Sequence, residues 1–315
     1  MTEEIDIGCR RLAGKVCVIA GVASVIGHAV SERLIREGAV VVGIDREQHN
    51  IGSLAMVANL SNEVEVQEAF QRIYEKIGRI DFLYNNAGAV SPDDKSVLNT
   101  TSETLDQIFA ANFRTAWLCC KYCVPFMLKN EPPSGSIVNS SSFLANMGSA
   151  TGQMAYNAAK AAVSQFSRDL VTNLARQGIR VNALSLGPIE TPQLKEAFSR
   201  IGEQERKRRF IHMPLRRFGT LEELAGTVAF LASEDSGFIT ASVSRSTVAS
   251  SMRSPSRNSF VLSTSMGLRG RLGRGVRGQR TPARDLRFCV RRKPAPSLKV
   301  QAEQQCHRRC LRVAF

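Results

Sequence analysis

Over its first 240 residues the chain alternates short, wholly apolar runs with longer stretches in which apolar residues return every three or four positions. Val16-Cys17-Val18-Ile19-Ala20 follows Gly14-Lys15 as an uninterrupted apolar run, the pattern of a strand buried on both faces. Val40-Val41-Val42-Gly43-Ile44 reads as a second strand, with a shorter one near Ala55-Met56-Val57. Phe82-Leu83-Tyr84, Ile137-Val138 and Arg180-Val181-Asn182-Ala183-Leu184 give further strands. Helical period marks residues 26–37 and 62–77, the latter through Val64, Val66, Ala69, Phe70, Ile73 and Ile77. Long helices fit 102–128 and 153–176. Strands separated by helices predict an α/β protein with a doubly wound parallel sheet. Such a sheet binds ligands beyond the C-terminal ends of its strands.

The alternation stops near residue 243. Ser, Arg, Gly and Pro take over, as in Ser251-Met252-Arg253-Ser254-Pro255-Ser256-Arg257 and Arg269-Gly270-Arg271-Leu272-Gly273-Arg274-Gly275. A segment of this composition cannot bury enough apolar surface to offset its ordering entropy, so disorder is expected of it. The expected organisation is an N-terminal arm over 1–12, a domain over 13–242 and a basic tail over 243–315. Charge divides the same way. The tail holds 17 Lys and Arg against 2 Asp and Glu, and the remaining 25 basic and 26 acidic residues nearly cancel. The overall net charge of +14 therefore says nothing about partners of the domain.

No apolar run approaches the length of a membrane span, so no membrane partner is expected. The polar start MTEEIDIGCRRLAGK lacks a secretory apolar region, and a cytoplasmic location is the expectation. The eight cysteines suggest no disulfide framework. Cys119, Cys120 and Cys123 lie in an apolar helical stretch and read as small buried hydrophobes. Cys306-His307-Arg308-Arg309-Cys310 has ligand-type residues but no second cluster, and no metal site is expected.

Candidate chemistry sits at the expected strand ends. Ala20-Gly21-Val22-Ala23-Ser24-Val25-Ile26-Gly27 joins the first strand to the first helix, where glycines let backbone approach a pyrophosphate and the helix start offers free N–H groups. Asp45 ends the second strand. Its carboxylate can bind the ribose hydroxyls of an adenosine and repel a 2′-phosphate, or can merely begin a turn. Arg46 could attract that phosphate instead. Asn85-Asn86-Ala87-Gly88 follows the next long strand and can line a cleft or simply turn. Ser140-Ser141-Ser142 ends another strand, and Tyr156-Asn157-Ala158-Ala159-Lys160 lies on the helix after it. Spacing of four puts Tyr156 and Lys160 on one helical face. An ammonium there is expected to stabilise a phenolate, lower the tyrosine pKa and make it a usable proton donor or acceptor.

Together these motifs resemble the short-chain dehydrogenase/reductase family, in the manner of its 3-oxoacyl-acyl carrier protein reductase-like members, over about residues 12–242. The family pattern is T-G-x-x-x-G-x-G, N-N-A-G, a helix Asn, a strand-end Ser, Y-x-x-x-K and P-G-x-x-x-T, the last matched at Leu186-Gly187-Pro188-Ile189-Glu190-Thr191. The resemblance implies a Rossmann-like sheet and hydride transfer between a nicotinamide and a carbonyl or alcohol carbon. It implies four catalytic residues: Ser142 on the substrate oxygen, Tyr156 transferring the proton, Lys160 on the nicotinamide ribose, and Asn112 anchoring a water relay. Ser141 is the alternative to Ser142. Cofactor contacts are expected from Gly21, Ser24, Ile26, Gly27, Asp45, Asn59, Leu60, Asn86, Ala87, Gly88, Tyr156, Lys160, Gly187, Ile189 and Thr191. Asp45 favours NAD, with NADP left open.

Four positions depart from the pattern. Ala20 replaces a Thr whose hydroxyl ties the turn, and Val25 puts a branched side chain where a glycine normally faces the cofactor. Asn59 replaces an Asp, and Leu186 replaces a Pro. Weakened cofactor affinity is expected from Val25. The usual last strand, ending V-D-G-G, is also missing, so it is expected to be lost or degraded. The chain reads Ser242-Val243-Ser244-Arg245-Ser246-Thr247-Val248-Ala249-Ser250 instead. With one choice of synonymous codons, the frame starting at the third base of the Arg245 codon encodes Val-Asp-Gly-Gly-Ile. A shifted reading frame after about residue 242 is therefore expected, and a sheet edge would be exposed by it.

The leading reading is an NAD-dependent oxidoreductase acting on a small-molecule secondary alcohol or ketone, or on a 3-oxoacyl thioester of an acidic carrier. Lys207, Arg208 and Arg209 could meet that carrier or form a solvated helix face. Residues 192–216 are expected to form a substrate lid. A homo-oligomer is expected if the C-terminal core is intact. The competing classes are a catalytically impaired homologue, through Val25 and the altered end, and a nucleic-acid binder using its basic tail. Thin aromatic support in the tail argues against the last.

Overall fold

Seven parallel strands form one sheet: β1 (Val16–Ala20), β2 (Val40–Asp45), β3 (Leu54–Val57), β4 (Phe82–Asn85), β5 (Gly135–Ser142), β6 (Ile179–Leu186) and the two-residue β7 (Val243–Ser244). The computed structural model describes residues 10–147, 152–211, 213 and 215–244. Strand order is β3-β2-β1-β4-β5-β6-β7, so the chain reverses its direction of travel between β1 and β4. Ala20, Asp45, Asn85, Ser142 and Leu186 therefore all finish on one edge of the sheet, with a crevice at the switch point.

Helices cover both faces, which is why the central strands are apolar throughout. On one face α2 (Glu63–Ile77), α4 (Thr115–Met127) and α5 (Met154–Leu174) bury Val66, Phe70, Ile73, Leu118 and Val171 against the sheet. On the other, α1 (Val25–Arg36) and α8 (Leu221–Ala232) bury Val30, Leu34, Leu224 and Val228. Each such side chain fully withdrawn from water contributes roughly 1.5–3 kcal/mol. Cys119, Cys120 and Cys123 lie in this core, where burial raises all three thiol pKa values, that of Cys120 to about 12. They act as small hydrophobes, as expected. Leu12 is fully buried as well, so core packing begins before β1.

Local signals set the helix ends. Ser24 caps α1, and Asn62 caps α2, which stops at Gly78 in the left-handed region. Thr220 and Glu223 form a reciprocal capping box on α8. The expected helix over 102–128 is continuous but changes pitch midway, as α3 (Ser102–Phe109), a π turn over Ala110–Arg114, and α4. The cause is side-chain competition for backbone acceptors. Asn112 Nδ2 donates to the Ile108 carbonyl at 2.9 Å and Thr115 Oγ1 to the Ala111 carbonyl at 3.0 Å.

The segment expected to form a lid holds α6 (Pro192–Ser199) and α7 (Glu203–Ile211), with Phe198, Phe210 and Phe218 in mutual ring contact. Lys207 is exposed and pairs with Glu203, while the side chains of Arg208 and Arg209 are outside the described set. At the sheet edge β7 pairs with β6 only at Ala183 and Leu184. Ser244 is the last described residue, so the expectation of a lost or degraded final strand falls largely on residues outside the described set. The expectations of a disordered, frame-shifted tail fall on residues 245–315, which lie outside the described residues, as do Cys9, Cys289, Cys306 and Cys310.

Candidate active site

The glycine turn after β1 is built by close approach. Gly21 has φ +90°, and a Cβ there would lie 2.6 Å from the Ala87 nitrogen. A Cβ on Gly27 would lie 2.3 Å from the Gly21 carbonyl oxygen. Gly27 thus lets α1 sit on the turn, and it lies beneath the cavity lining. Ser24 and Asn86 tie the turn together. Ser24 Oγ donates to the Gly21 carbonyl at 3.1 Å and accepts the Gly27 N–H at 3.0 Å. Asn86 Nδ2 donates to that carbonyl and to Ser24 Oγ, both at 2.8 Å. Asn86 therefore ties the second motif to the first.

Two adjoining cavities open at the strand ends. The smaller, about 450 Å³, lies over the β1–β2 side and is lined by Gly21, Ser24, Asp45, Asn59, Leu60, Asn86, Ala87 and Gly88. Arg46 lines it too and is well exposed. Asp45 is half-buried; its Oδ2 accepts the Ala23 N–H at 2.9 Å, which links the strand end to the glycine turn. Asn59 turns its Oδ1 toward the Ser61 hydroxyl at 2.8 Å.

The larger cavity, about 1210 Å³, is lined by Ser24, Val25, Ile26, Asn112, Ser142, Tyr156, Lys160, Gly187, Ile189 and Thr191. Thr191 also caps α6, accepting the Leu194 N–H at 3.2 Å. Val25 is the first residue of α1 and lines this cavity.

Lys160 is 4% exposed, and its Nζ donates to the Ser140 carbonyl at 3.0 Å. Burial lowers its pKa to about 8. The Nζ lies 5.7 Å from the centroid of the Tyr156 ring. The expected lowering of the tyrosine pKa is corrected. Burial raises it, and the hydrogen bond with Ser142 only partly opposes that. Lys160 sits one helical turn deeper and does not offset the desolvation of the phenol.

The choice between the two serines is made by strand alternation. Ser141 points into α5, its hydroxyl hydrogen-bonded to the Lys160 carbonyl at 2.9 Å and to the Ser164 hydroxyl at 2.6 Å. Ser142 is the serine on the phenol. Asn112 is held at the π turn, with Nδ2 donating to the Ala89 and Ile108 carbonyls at 2.7 and 2.9 Å. Its buried Oδ1 has no partner among the described residues. That oxygen and Lys160 Nζ both crowd Gly88, where a Cβ would meet them at 2.7 and 3.0 Å.

One residue escaped the sequence reading. Asp94 caps α5 from a loop 61 residues earlier, a distance over which no local periodicity reaches.

Glycine-lined backbone, a ribose-height carboxylate and an unpartnered buried oxygen beside an ammonium fit a dinucleotide lying across both cavities. The family described as Enoyl-(Acyl carrier protein) reductase matches residues 21–245. The chain is 35% identical over 245 residues to a 3-oxoacyl-[acyl-carrier-protein] reductase, FabG, of Thermotoga maritima, covering 74% of this chain and 96% of that one. The crystal structure of gox2181 superposes with a TM-score of 0.68 at 27% identity, covering 76% of this chain and 96% of that one. The ligand-free aldohexose dehydrogenase of Thermoplasma acidophilum does so with a TM-score of 0.67 at 26% identity, covering 75% and 92%.

Proposed function

Because the chain belongs to the short-chain dehydrogenase/reductase family of oxidoreductases, we propose that it interconverts a secondary alcohol and a ketone, with Tyr156 moving the proton. The observation that carries this reading is the convergence of Ser142, Tyr156 and Lys160 in one cavity, beside the unpartnered Oδ1 of Asn112.

A nicotinamide dinucleotide supplies or accepts the hydride when bound. Gly21, Ser24 and Ile26 would hold its pyrophosphate, Asp45 its adenosine ribose, and Asn59 and Leu60 its adenine. Asn86, Ala87 and Gly88 would floor the crossing between the cavities. Gly187, Ile189 and Thr191 would hold the carboxamide. Asp45 supports NAD over NADP, because a carboxylate at that height repels a 2′-phosphate.

Ser142 donates a hydrogen bond to the substrate oxygen, and Tyr156 gives it a proton as negative charge develops there. Oxidation runs the same transfers backwards. A raised tyrosine pKa keeps the phenol protonated through the neutral range, which is the form that reduction requires. The Lys160 ammonium stabilises the phenolate left behind. Asn112 Oδ1 and Lys160 Nζ offer an acceptor and a donor for a water that returns the proton.

Val90, Pro92, Phe143, Leu144, Leu186 and Leu194 line the outer wall of the larger cavity. They support a substrate with an apolar body, such as an acyl thioester or terpenoid-like alcohol, over a sugar. Self-association also belongs to this reading, since Trp117 is 47% exposed beside Phe113 and Phe166.

The test is NADH oxidation against a panel of ketones and 3-oxoacyl thioesters, with Tyr156→Phe as control. Turnover is expected from the unsubstituted protein, with a loss of about 10²–10⁴-fold in the variant. Equal rates from the two proteins would remove Tyr156 from the mechanism.

A further inference from the structure

α5 begins without a cap of its own. The residue before it, Gln153, has φ 83° and makes no side-chain hydrogen bond to the helix start. The first-turn N–H groups of a helix need acceptors, and glutamine is a poor source of one at this position. Asp94 supplies them from the loop after β4. Its Oδ1 accepts the Ala155 N–H at 3.0 Å and its Oδ2 accepts the Tyr156 N–H at 2.9 Å. Its own carbonyl accepts the Gln153 N–H at 2.9 Å. The residue is 3% exposed.

We propose that Asp94 is a positioning residue for Tyr156: a buried carboxylate that grips the backbone of the proton-transfer residue itself and fixes the azimuth of the first turn of α5. The proposal rests on the role given to Tyr156 above. Tyr156 lies in the first turn, where helices fray most readily, whereas Lys160 lies one turn deeper and is anchored separately on the Ser140 carbonyl. Tyr156 therefore depends on an external clamp and Lys160 does not. The loop carrying Asp94 also walls the larger cavity through Val90, Ser91 and Pro92. One short segment thus sets both the substrate wall and the phenol beside it.

A carboxylate suits this task, because it offers two acceptor atoms to two donors. An asparagine offers one acceptor and turns its NH₂ against the remaining N–H. The charged groups in the described wall of the cavity are Asp94, Lys95 and Lys160, with the Ser142 hydroxyl on the phenol. Lys95 is paired with Asp93, and removing the negative charge of Asp94 takes an anion from the surroundings of the phenol, which favours phenolate.

The experiment compares Asp94→Asn and Asp94→Ala with the unsubstituted protein in ketone reduction. The expected result is a kcat lowered about tenfold in Asp94→Asn and further in Asp94→Ala, with NADH affinity by fluorescence within about twofold. The alkaline limb of the kcat profile should also move toward lower pH by about half a unit or more. A smaller active fraction would lower kcat without moving that limb. Amide exchange gives a readout independent of turnover: the Ala155 and Tyr156 amides should exchange faster in Asp94→Asn while that of Lys160 stays protected. An unmoved limb, unchanged exchange at Tyr156, or kcat retained within twofold in a folded variant would each overturn the proposal. If the unsubstituted protein fails to turn over while the exchange result holds, the functional reading fails and the clamp stands.

Discussion

Lys160→Met isolates the energetic consequence of burying an ammonium beneath the candidate proton donor. The Lys160 pKa falls from its ordinary value of 10.5 to about 8 on folding. Between those values the unfolded chain holds more protons than the folded one, so stability rises with pH there. The penalty is fully present below about pH 8, where the folded protein must carry the buried charge, and vanishes above the unfolded pKa. At 1.36 kcal/mol per pKa unit the full penalty is about 3 kcal/mol, and about 2.5 kcal/mol of it is relieved between about pH 7 and pH 10. Methionine has a similar length, carries no charge and does not titrate. It also gives up the 3.0 Å hydrogen bond to the Ser140 carbonyl, a cost of roughly 1 kcal/mol that does not vary with pH. The measurement is urea denaturation of both ligand-free proteins across that pH range. Taking the difference cancels every other titrating group. The stability of the unsubstituted protein should gain about 2.5 kcal/mol on that of Lys160→Met as pH rises. A difference that stays flat within about 0.5 kcal/mol would mean that folding does not perturb Lys160, and the desolvation argument would be refuted.

Three further outcomes follow from the geometry. Val25→Gly should bind NADH severalfold more tightly in a fluorescence titration, because it clears a branched side chain from the cavity wall; equal affinities would clear Val25 of blame. Ser142→Ala should lower kcat at least about tenfold, whereas Ser141→Ala should cost roughly 1 kcal/mol of stability and leave kcat nearly unchanged, and the reverse pattern would restore Ser141 as the candidate. Gly21→Ala should lower stability by roughly 2–4 kcal/mol and Tm by about 5–10 °C, since its Cβ would meet backbone at 2.6 Å with φ at +90°; a change under about 0.5 kcal/mol would contradict the close approach.

Sequence alone determined the α/β class, the parallel sheet and the positions of β1 to β6 and of the helices up to α5, but not α6, α7 or α8, and the resemblance of its ordered motifs to a family singled out Tyr156 and Lys160. These were legible because they are local. Strands buried on both faces must be apolar throughout, helices repeat every three to four residues, and glycine turns and the four-residue step from Tyr156 to Lys160 lie within single segments. Only the tertiary structure decided the properties that arise between segments. Ser141 and Ser142 are indistinguishable by type, and the pleat of β5 separates them by sending one into α5 and the other toward the phenol. Asn112 is also held by an acceptor at Ala89, 23 residues earlier, which packing brings within 2.7 Å. The direction of the Tyr156 pKa follows from burial, which overrides the lysine one turn away. Asp94 reaches α5 across 61 residues, and no pattern along the chain could join them. Spacing along a chain determines which face a side chain shares, but desolvation and long-range hydrogen bonds depend on what the fold places opposite that face.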